Sequence, residues 1–359
     1  MKITIVGGGN IGTQFAVHCA EKGHDVIVYT SKPELFDGSL TIVDENGEIT
    51  HAGKIRFATS SPEIGFRQAD MILITLPATM MRSIAHIISE HTDTQTIIGV
   101  VPGNGGSECA FKACIERGNT FFGIERVPAI ARLIQKGKSV RSTGYRAVLH
   151  VAALPGKDAK KCAAIIESIF DIKTDVIPSY LNLTMTPSNP ILHTTRLRTI
   201  FRDWQEGMVY PSVPLFYEDW DDASSELLIA CDAEVQQICR ALPEMRLEYV
   251  KSLQDHYESH SIRAMTDKIS SISAFRGLKT PAVRKGEGWV PDLISRYFTA
   301  DFGYGLSIIQ QIARFAETDT PQIDETMEWY RCIAEETDTF RYEGYGITDK
   351  NSFESFYSI

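Results

Sequence analysis

The chain opens Met1-Lys2-Ile3-Thr4-Ile5-Val6-Gly7-Gly8-Gly9-Asn10-Ile11-Gly12, and the reading of these residues decides the fold. Lys2 to Val6 is a short run of apolar and β-branched residues, the composition of a buried strand. It runs straight into Gly7-x-Gly9-x-x-Gly12. Behind the glycines, Ile11, Phe15, Ala16 and Cys19 recur on one helical face up to Lys22-Gly23, where Gly23 is placed to end the helix. A second strand starts at Asp25-Val26-Ile27-Val28-Tyr29. A glycine pattern alone is weak, but between strand, helix and strand it is the fingerprint of a dinucleotide-binding unit. Gly7 permits the tight turn, Gly9 lets backbone approach a pyrophosphate, and Gly12 lets the helix pack on the strand. The free amides at the helix start, at Asn10 and Ile11, would hold the phosphates.

The end of the second strand bears on which nucleotide is bound. NAD binders usually carry an acidic residue there for the ribose 2′-hydroxyl. Here the strand ends Tyr29-Thr30-Ser31-Lys32, with no carboxylate before Glu34. Thr30 and Ser31 can donate hydrogen bonds and Lys32 can pair with a 2′-phosphate. NADP is therefore the expected cofactor, and NAD held without the usual acid is the alternative.

At 359 residues the chain exceeds one small core and points to two domains. A net charge of −10 argues against non-specific nucleic-acid binding. No apolar stretch is long enough to span a bilayer, and the chain begins directly with a strand, so no membrane partner and no signal peptide are expected. Seven cysteines are scattered without a C-x-x-C pair, the pattern of reduced thiols in a cytoplasmic protein.

Residues 40–57 read as short strands around the turn Asp44-Glu45-Asn46-Gly47. Met71-Ile72-Leu73-Ile74-Thr75-Leu76 is a continuous apolar strand of the kind buried in a parallel sheet, broken by Pro77 and followed by a helix. Thr96-Ile97-Ile98-Gly99-Val100-Val101 repeats the pattern and ends in Pro102-Gly103-Asn104-Gly105-Gly106. Further strands are expected at 120–124 and 146–154. This alternation predicts an α/β, Rossmann-like doubly wound sheet. Ligands of such sheets sit at the carboxyl ends of the strands, which places Gly9, Leu76, Pro77 and Pro102 around one crevice. After about Pro178 helical periodicity takes over, at 192–201, 223–242, 247–257, 294–298, 306–315 and 321–335. The expected division is a dinucleotide domain at 1–180 and an all-α domain at 181–359 that faces the crevice.

Dinucleotide binding does not name a reaction. Hydride transfer to a carbonyl or imine needs a proton donor, and often a cation for a substrate carboxylate. Of nine histidines, His18, His24 and His51 fall in the nucleotide half, and His150 ends a strand. His256 and His260 share a helical spacing but have no third ligand, so no metal is expected. His193 lies in Thr186-Pro187-Ser188-Asn189-Pro190-Ile191-Leu192-His193, on the entry helix of the second domain, with Ser188 or Asn189 as its cap. Both a packed histidine and a cleft histidine fit that position.

The chain resembles the octopine/nopaline (opine) dehydrogenase family over most of its length. Four motifs carry the likeness: Gly7-x-Gly9-x-x-Gly12, Pro102-Gly103-Asn104-Gly105-Gly106, Ser188-Asn189-Pro190-Ile191-Leu192-His193, and Arg296-Tyr297-Phe298-Thr299-Ala300-Asp301-Phe302-Gly303-Tyr304-Gly305-Leu306. The family's asparagine and histidine fall on Asn189 and His193, and its arginine and aspartate on Arg296 and Asp301. Phe302-Gly303 stands where the family usually has Val-Pro. The related 2-dehydropantoate reductases use a lysine as proton donor, and none occurs between Ser188 and Arg198.

The resemblance implies reductive condensation of an amino acid with a 2-oxo acid by NAD(P)H, and a possible homodimer. His193 would handle the proton with Asp301 holding its imidazole. Arg296 would clamp the oxo-acid carboxylate. Asn189 would contact substrate or cap the helix. Arg196, Arg198, Arg202, Trp204, Tyr210 and Trp220 are candidates for recognising the amino acid or for packing. The alternatives are a ketone or hydroxyacid reductase of the 2-dehydropantoate-reductase type, and a nucleotide sensor without turnover.

Overall fold

The computed structural model describes residues 1–334 and 339–358. Twelve strands precede residue 177. They are β1 (Lys2–Val6), β2 (Asp25–Tyr29), β3 (Ser39–Val43), β4 (Ile49–Lys54), β5 (Phe57–Thr59), β6 (Met71–Ile74), β7 (Ile97–Val100), β8 (Phe121–Ile124), β9 (Ile130–Gln135), β10 (Ser139–Thr143), β11 (Val148–Leu154) and β12 (Lys173–Val176). Eight form one sheet in the order β12-β11-β8-β7-β6-β1-β2-β5. All its pairings are parallel except β11 with β8. The continuous apolar runs foreseen at 71–76 and 96–101 lie at its centre, buried throughout β6 and β7, as a sheet covered on both faces requires.

The residues between β2 and β11 contribute a second sheet, β4-β3-β10-β9. β3 and β4 form the expected hairpin, turned at Asp44, whose Oδ1 accepts from the amides of Asn46 and Glu48. The first helix, Asn10–Glu21, packs between the sheets. Phe15, Ala16, Val17 and Cys19 join the core with Ile3, Ile5, Leu40, Ile42 and Val140. All seven cysteines are free thiols.

The chain divides into Met1–Leu183 with the tail from Ser355, and Thr184–Glu354. The C-terminal tail thus counts with the first unit: Tyr357 donates to Glu108 at 2.5 Å. The second unit is built on helices Ser188–Ile200, Asp222–Ala241, Ile262–Ser271, Ser307–Phe315 and Pro321–Ile333. It also holds a hairpin, β13 (Ala282–Lys285) with β14 (Gly288–Pro291), that periodicity did not foresee. The helix expected at 247–257 shrinks to Leu253–His256. Of the one expected at 321–335, residue 335 lies outside the described residues. No described helix is long and apolar enough to cross a membrane.

Candidate active site

The nucleotide cradle is built at the carboxyl ends of three adjacent strands, β1, β6 and β7. Gly7 has φ +111°, and a Cβ there would lie 2.8 Å from Thr75 Oγ1. A Cβ on Gly12 would fall into the carbonyl of Gly7, so the helix can meet β1 only without a side chain. Gly9 faces open space and is the helix N-cap. No acidic residue stands in the first turn and no side chain caps it, which leaves amides free for an anion. These features fit a dinucleotide.

The remaining expected contacts divide. The Asn10 side chain is anchored by its Oδ1, which accepts from the Leu133 amide at 2.8 Å, so what it has left for a phosphate is its backbone amide and its side-chain N–H donors. Ile11 packs against the core. Thr30 is buried and accepts from the Lys32 amide, whereas Ser31 and Lys32 are exposed and their side chains have no partner among the described residues. Leu76 is half-buried beside Gly7, and Pro77 and Pro102 are exposed at the ends of β6 and β7.

In the second unit the Ser188–Ile200 helix presents His193. Its N-cap is Pro187, so neither Ser188 nor Asn189 caps it; Pro187 and Pro190 fit its first turn, where amides lack intrahelical partners. Asn189 is exposed one turn before His193, with no side-chain hydrogen bond to the described residues. His193 is 4% exposed and bonded at both ring nitrogens. Nδ1 lies 2.7 Å from Asp301 Oδ2, and Nε2 lies 2.7 Å from the Tyr217 hydroxyl. Asp301 reaches this place across a π-helical turn, Phe302–Leu306, in which the Leu306 amide donates to the Asp301 carbonyl at 2.8 Å.

Phe302, which stands in place of Val, is fully buried and stacks on Tyr330 at 4.3 Å. Arg296 is exposed and has no carboxylate partner among the described residues; its guanidinium lies over the Tyr297 ring. An Arg296–Asp301 ion pair is therefore not what the five-residue spacing makes. The Tyr297 ring in turn lies 4.6 Å from that of His193.

Tyr217 had no motif to announce it. It sits in a loop and stacks on Phe275 at 4.2 Å. Burial raises its phenol pKa, as it does that of Tyr297. The loop is held by Arg196, which is fully buried. Arg196 donates to the carbonyls of Phe216 and Asp219, to Ser224 Oγ and to Asp221, and its guanidinium lies over Trp220.

Of the candidates for recognition or packing, Arg196 and Trp220 take the packing role: both are buried supports of the Tyr217 loop, with the Trp220 indole donating to Ser225. Arg198 binds Thr326 and Glu325, the Trp204 indole donates to the Met208 carbonyl, and Tyr210 pairs with Trp289. Arg202 is exposed. His150 is paired with Glu125 at 2.8 Å.

A dinucleotide unit joined to a helical unit with a buried histidine–carboxylate pair defines a two-domain, nicotinamide-nucleotide oxidoreductase. Two family models match the chain. One is NAD-dependent glycerol-3-phosphate dehydrogenase N-terminus, over residues 2–105, and the other is NAD/NADP octopine/nopaline dehydrogenase, alpha-helical domain, over residues 176–334. The uncharacterized protein y4xO of Sinorhizobium fredii is 30% identical over 92% of this chain and 94% of its own. Tauropine dehydrogenase of Arabella iricolor is 26% identical over 91% of this chain and 90% of its own. A structure of octopine dehydrogenase with NADH and L-arginine superimposes with a TM-score of 0.86 at 20% identity, covering 98% of this chain and 97% of that one. The chain belongs to the octopine/nopaline dehydrogenase family.

Proposed function

We propose that the protein is an NAD(P)H-dependent opine dehydrogenase. It condenses an amino acid with a 2-oxo acid and reduces the imine, giving a secondary amine with two carboxylates. The observation that carries this reading is His193 held by Asp301 in a domain of the octopine/nopaline type, with Arg296, which has no carboxylate partner among the described residues, lying on the Tyr297 ring beside it. When bound, the reduced nicotinamide supplies the hydride. His193 donates the proton at the carbonyl or imine centre, and Asp301 fixes its tautomer and stabilises the imidazolium. Arg296 holds the oxo-acid carboxylate through a two-pronged hydrogen-bonded pair. Asn189, exposed on the same helix, contacts the substrate.

Lys32, exposed and uncommitted after Thr30 and Ser31, favours NADP over NAD. Seven free thiols support a cytoplasmic location. A homodimer completes the reading, to be tested by sedimentation.

The decisive assay follows NADPH and NADH oxidation with pyruvate, with and without a mixed pool of amino acids. Oxidation that requires both partners is expected; oxidation with the oxo acid alone points to a simple carbonyl reductase. His193→Ala should lower turnover by about 100-fold or more, the usual contribution of a positioned acid–base group. Near-normal turnover in that variant removes His193 from the chemistry.

A further inference from the structure

We propose that Tyr217 is the hydroxyl through which His193 passes its proton to the substrate; the proposal rests on the reaction given above. Asp301 can only accept at Nδ1, so that nitrogen carries the proton of the neutral imidazole and Nε2 is a bare acceptor. The Tyr217 hydroxyl, 2.7 Å away, donates to it. When His193 is charged the bond reverses: Nε2–H donates to the Tyr217 oxygen, and the phenol proton is turned toward another acceptor. Tyr217 thus has one arrangement for each charge state of His193.

The substrate cannot readily take the place of this hydroxyl. Tyr217 is 4% exposed, its ring stacks on Phe275 at 4.2 Å and lies parallel to Trp220 at 6.4 Å, and its loop is fixed by Arg196 through the carbonyls of Phe216 and Asp219. The Tyr297 ring, 4.6 Å from that of His193, carries the Arg296 guanidinium over it, which sets the group proposed to hold the oxo-acid carboxylate beside the same histidine. Burial keeps the phenol protonated, so exchange must be concerted, without a phenolate.

The step balances as follows. Amine addition to the 2-oxo acid gives a carbinolamine. The proton on Nε2 of the imidazolium moves to the Tyr217 oxygen while the phenol's own proton moves to the carbinolamine hydroxyl. The C–O bond breaks, its electron pair leaves with water, and the nitrogen lone pair forms the C=N bond. Tyr217 ends as it began and His193 ends neutral. Nothing is oxidised or reduced until hydride arrives.

Tyr217→Phe in the full chain removes one oxygen and keeps the stacked ring. The expected result is a kcat reduced by about 100-fold with both KM values changed by less than about threefold, since the loss lies in proton delivery. Unfolding temperature and NADPH binding should stay at the wild-type values. In 15N-histidine spectra, the Nε2 resonance of His193 should shift, reporting the lost hydrogen bond. The double variant with His193→Ala should be no slower than His193→Ala alone, because the two groups act in series. A kcat within about threefold of wild type, or a loss confined to KM, overturns the proposal. An unmoved Nε2 resonance does the same. If wild-type turnover proves independent of amine, the imine reaction falls but the relay is still tested, because ketone reduction draws a proton from the same histidine; Y217F must then slow that reaction equally.

Discussion

Arg296 and Asp301 are oppositely charged and five residues apart, yet each is turned to a different task. The spacing exceeds the three or four residues that bring helical side chains together. The π-helical turn after Asp301 carries its carboxylate to His193 and leaves Arg296 exposed on Tyr297. A guanidinium without an internal carboxylate is available for a substrate carboxylate. Arg296→Ala should therefore raise KM for the oxo acid by about 10- to 100-fold, the range of a lost charge-assisted pair, with kcat less affected. Arg296→Lys should recover only part of it, since an ammonium cannot make the two-pronged pair. Steady-state kinetics with varied oxo acid decide this, and an unchanged KM in the alanine variant would remove Arg296 from binding. Lys32→Ala should weaken NADPH by about tenfold and leave NADH unchanged if Lys32 meets the 2′-phosphate. Fluorescence titration with both nucleotides checks it; equal effects on both would leave Lys32 as a solvated side chain.

At the scale of elements, what was legible in the sequence followed what is periodic. The glycine turn between β1 and the first helix, the apolar strands β6 and β7 and the Asp44 hairpin were readable because buried strands and tight turns restrict residue type locally. His193 and Asp301 were placed by motif, since the 108 residues that separate them carry no periodic sign of contact. Tyr217 was not readable: it lies in an irregular loop whose shape is set by one buried cation from another element. The available signal was Arg196 itself, a charge at position i+3 from His193 on a helix otherwise buried through this turn. A buried guanidinium must find acceptors, and here they are the carbonyls of the loop. Arg196→Met should leave those carbonyls without a donor and cost roughly 3 kcal/mol or more of stability. It should also lower kcat by releasing the Tyr217 loop. Urea unfolding together with turnover tests both; a variant as stable as wild type would show that the loop holds its own shape.

At the scale of the whole molecule, each unit buries a titratable group, and the two act on stability in opposite directions. In the first unit His18, 3% exposed on the first helix with its ring against that of His51 in β4, has its pKa lowered from 6.5 to about 4. Burial is the main cause, followed by the neighbouring His51; Glu21 and Asp171 oppose the shift and Lys22 adds to it. Its ring packs against those of His51 and Tyr145. The unfolded chain takes up this proton near pH 6.5 and the folded chain only near 4, so stability falls as pH drops through that window. In the second unit Asp232, 2% exposed, has its pKa raised from 3.8 to about 6, chiefly by burial and further by Asp255, against the Leu253 amide that it accepts. Here the folded chain holds the proton longer, so stability falls as pH rises from 3.8 to 6. Each contribution is about 3 kcal/mol at full effect. Between pH 6 and 4, therefore, acid weakens the nucleotide unit through His18 while it relieves the helical unit through Asp232. Two variants separate these terms. Asp232→Asn keeps an acceptor for the Leu253 amide without the buried charge, and should raise the unfolding free energy at pH 7 while changing it little at pH 3.5. His18→Phe keeps an aromatic ring without a proton site, and should flatten the loss of stability between pH 6.5 and 4. Urea titrations across this range, read by intrinsic fluorescence and by NADPH-induced stabilisation of the first unit, measure both. If His18→Phe steepens the acid loss, or if Asp232→Asn is no more stable than wild type at pH 7, the buried charge in that unit does not set its pH dependence.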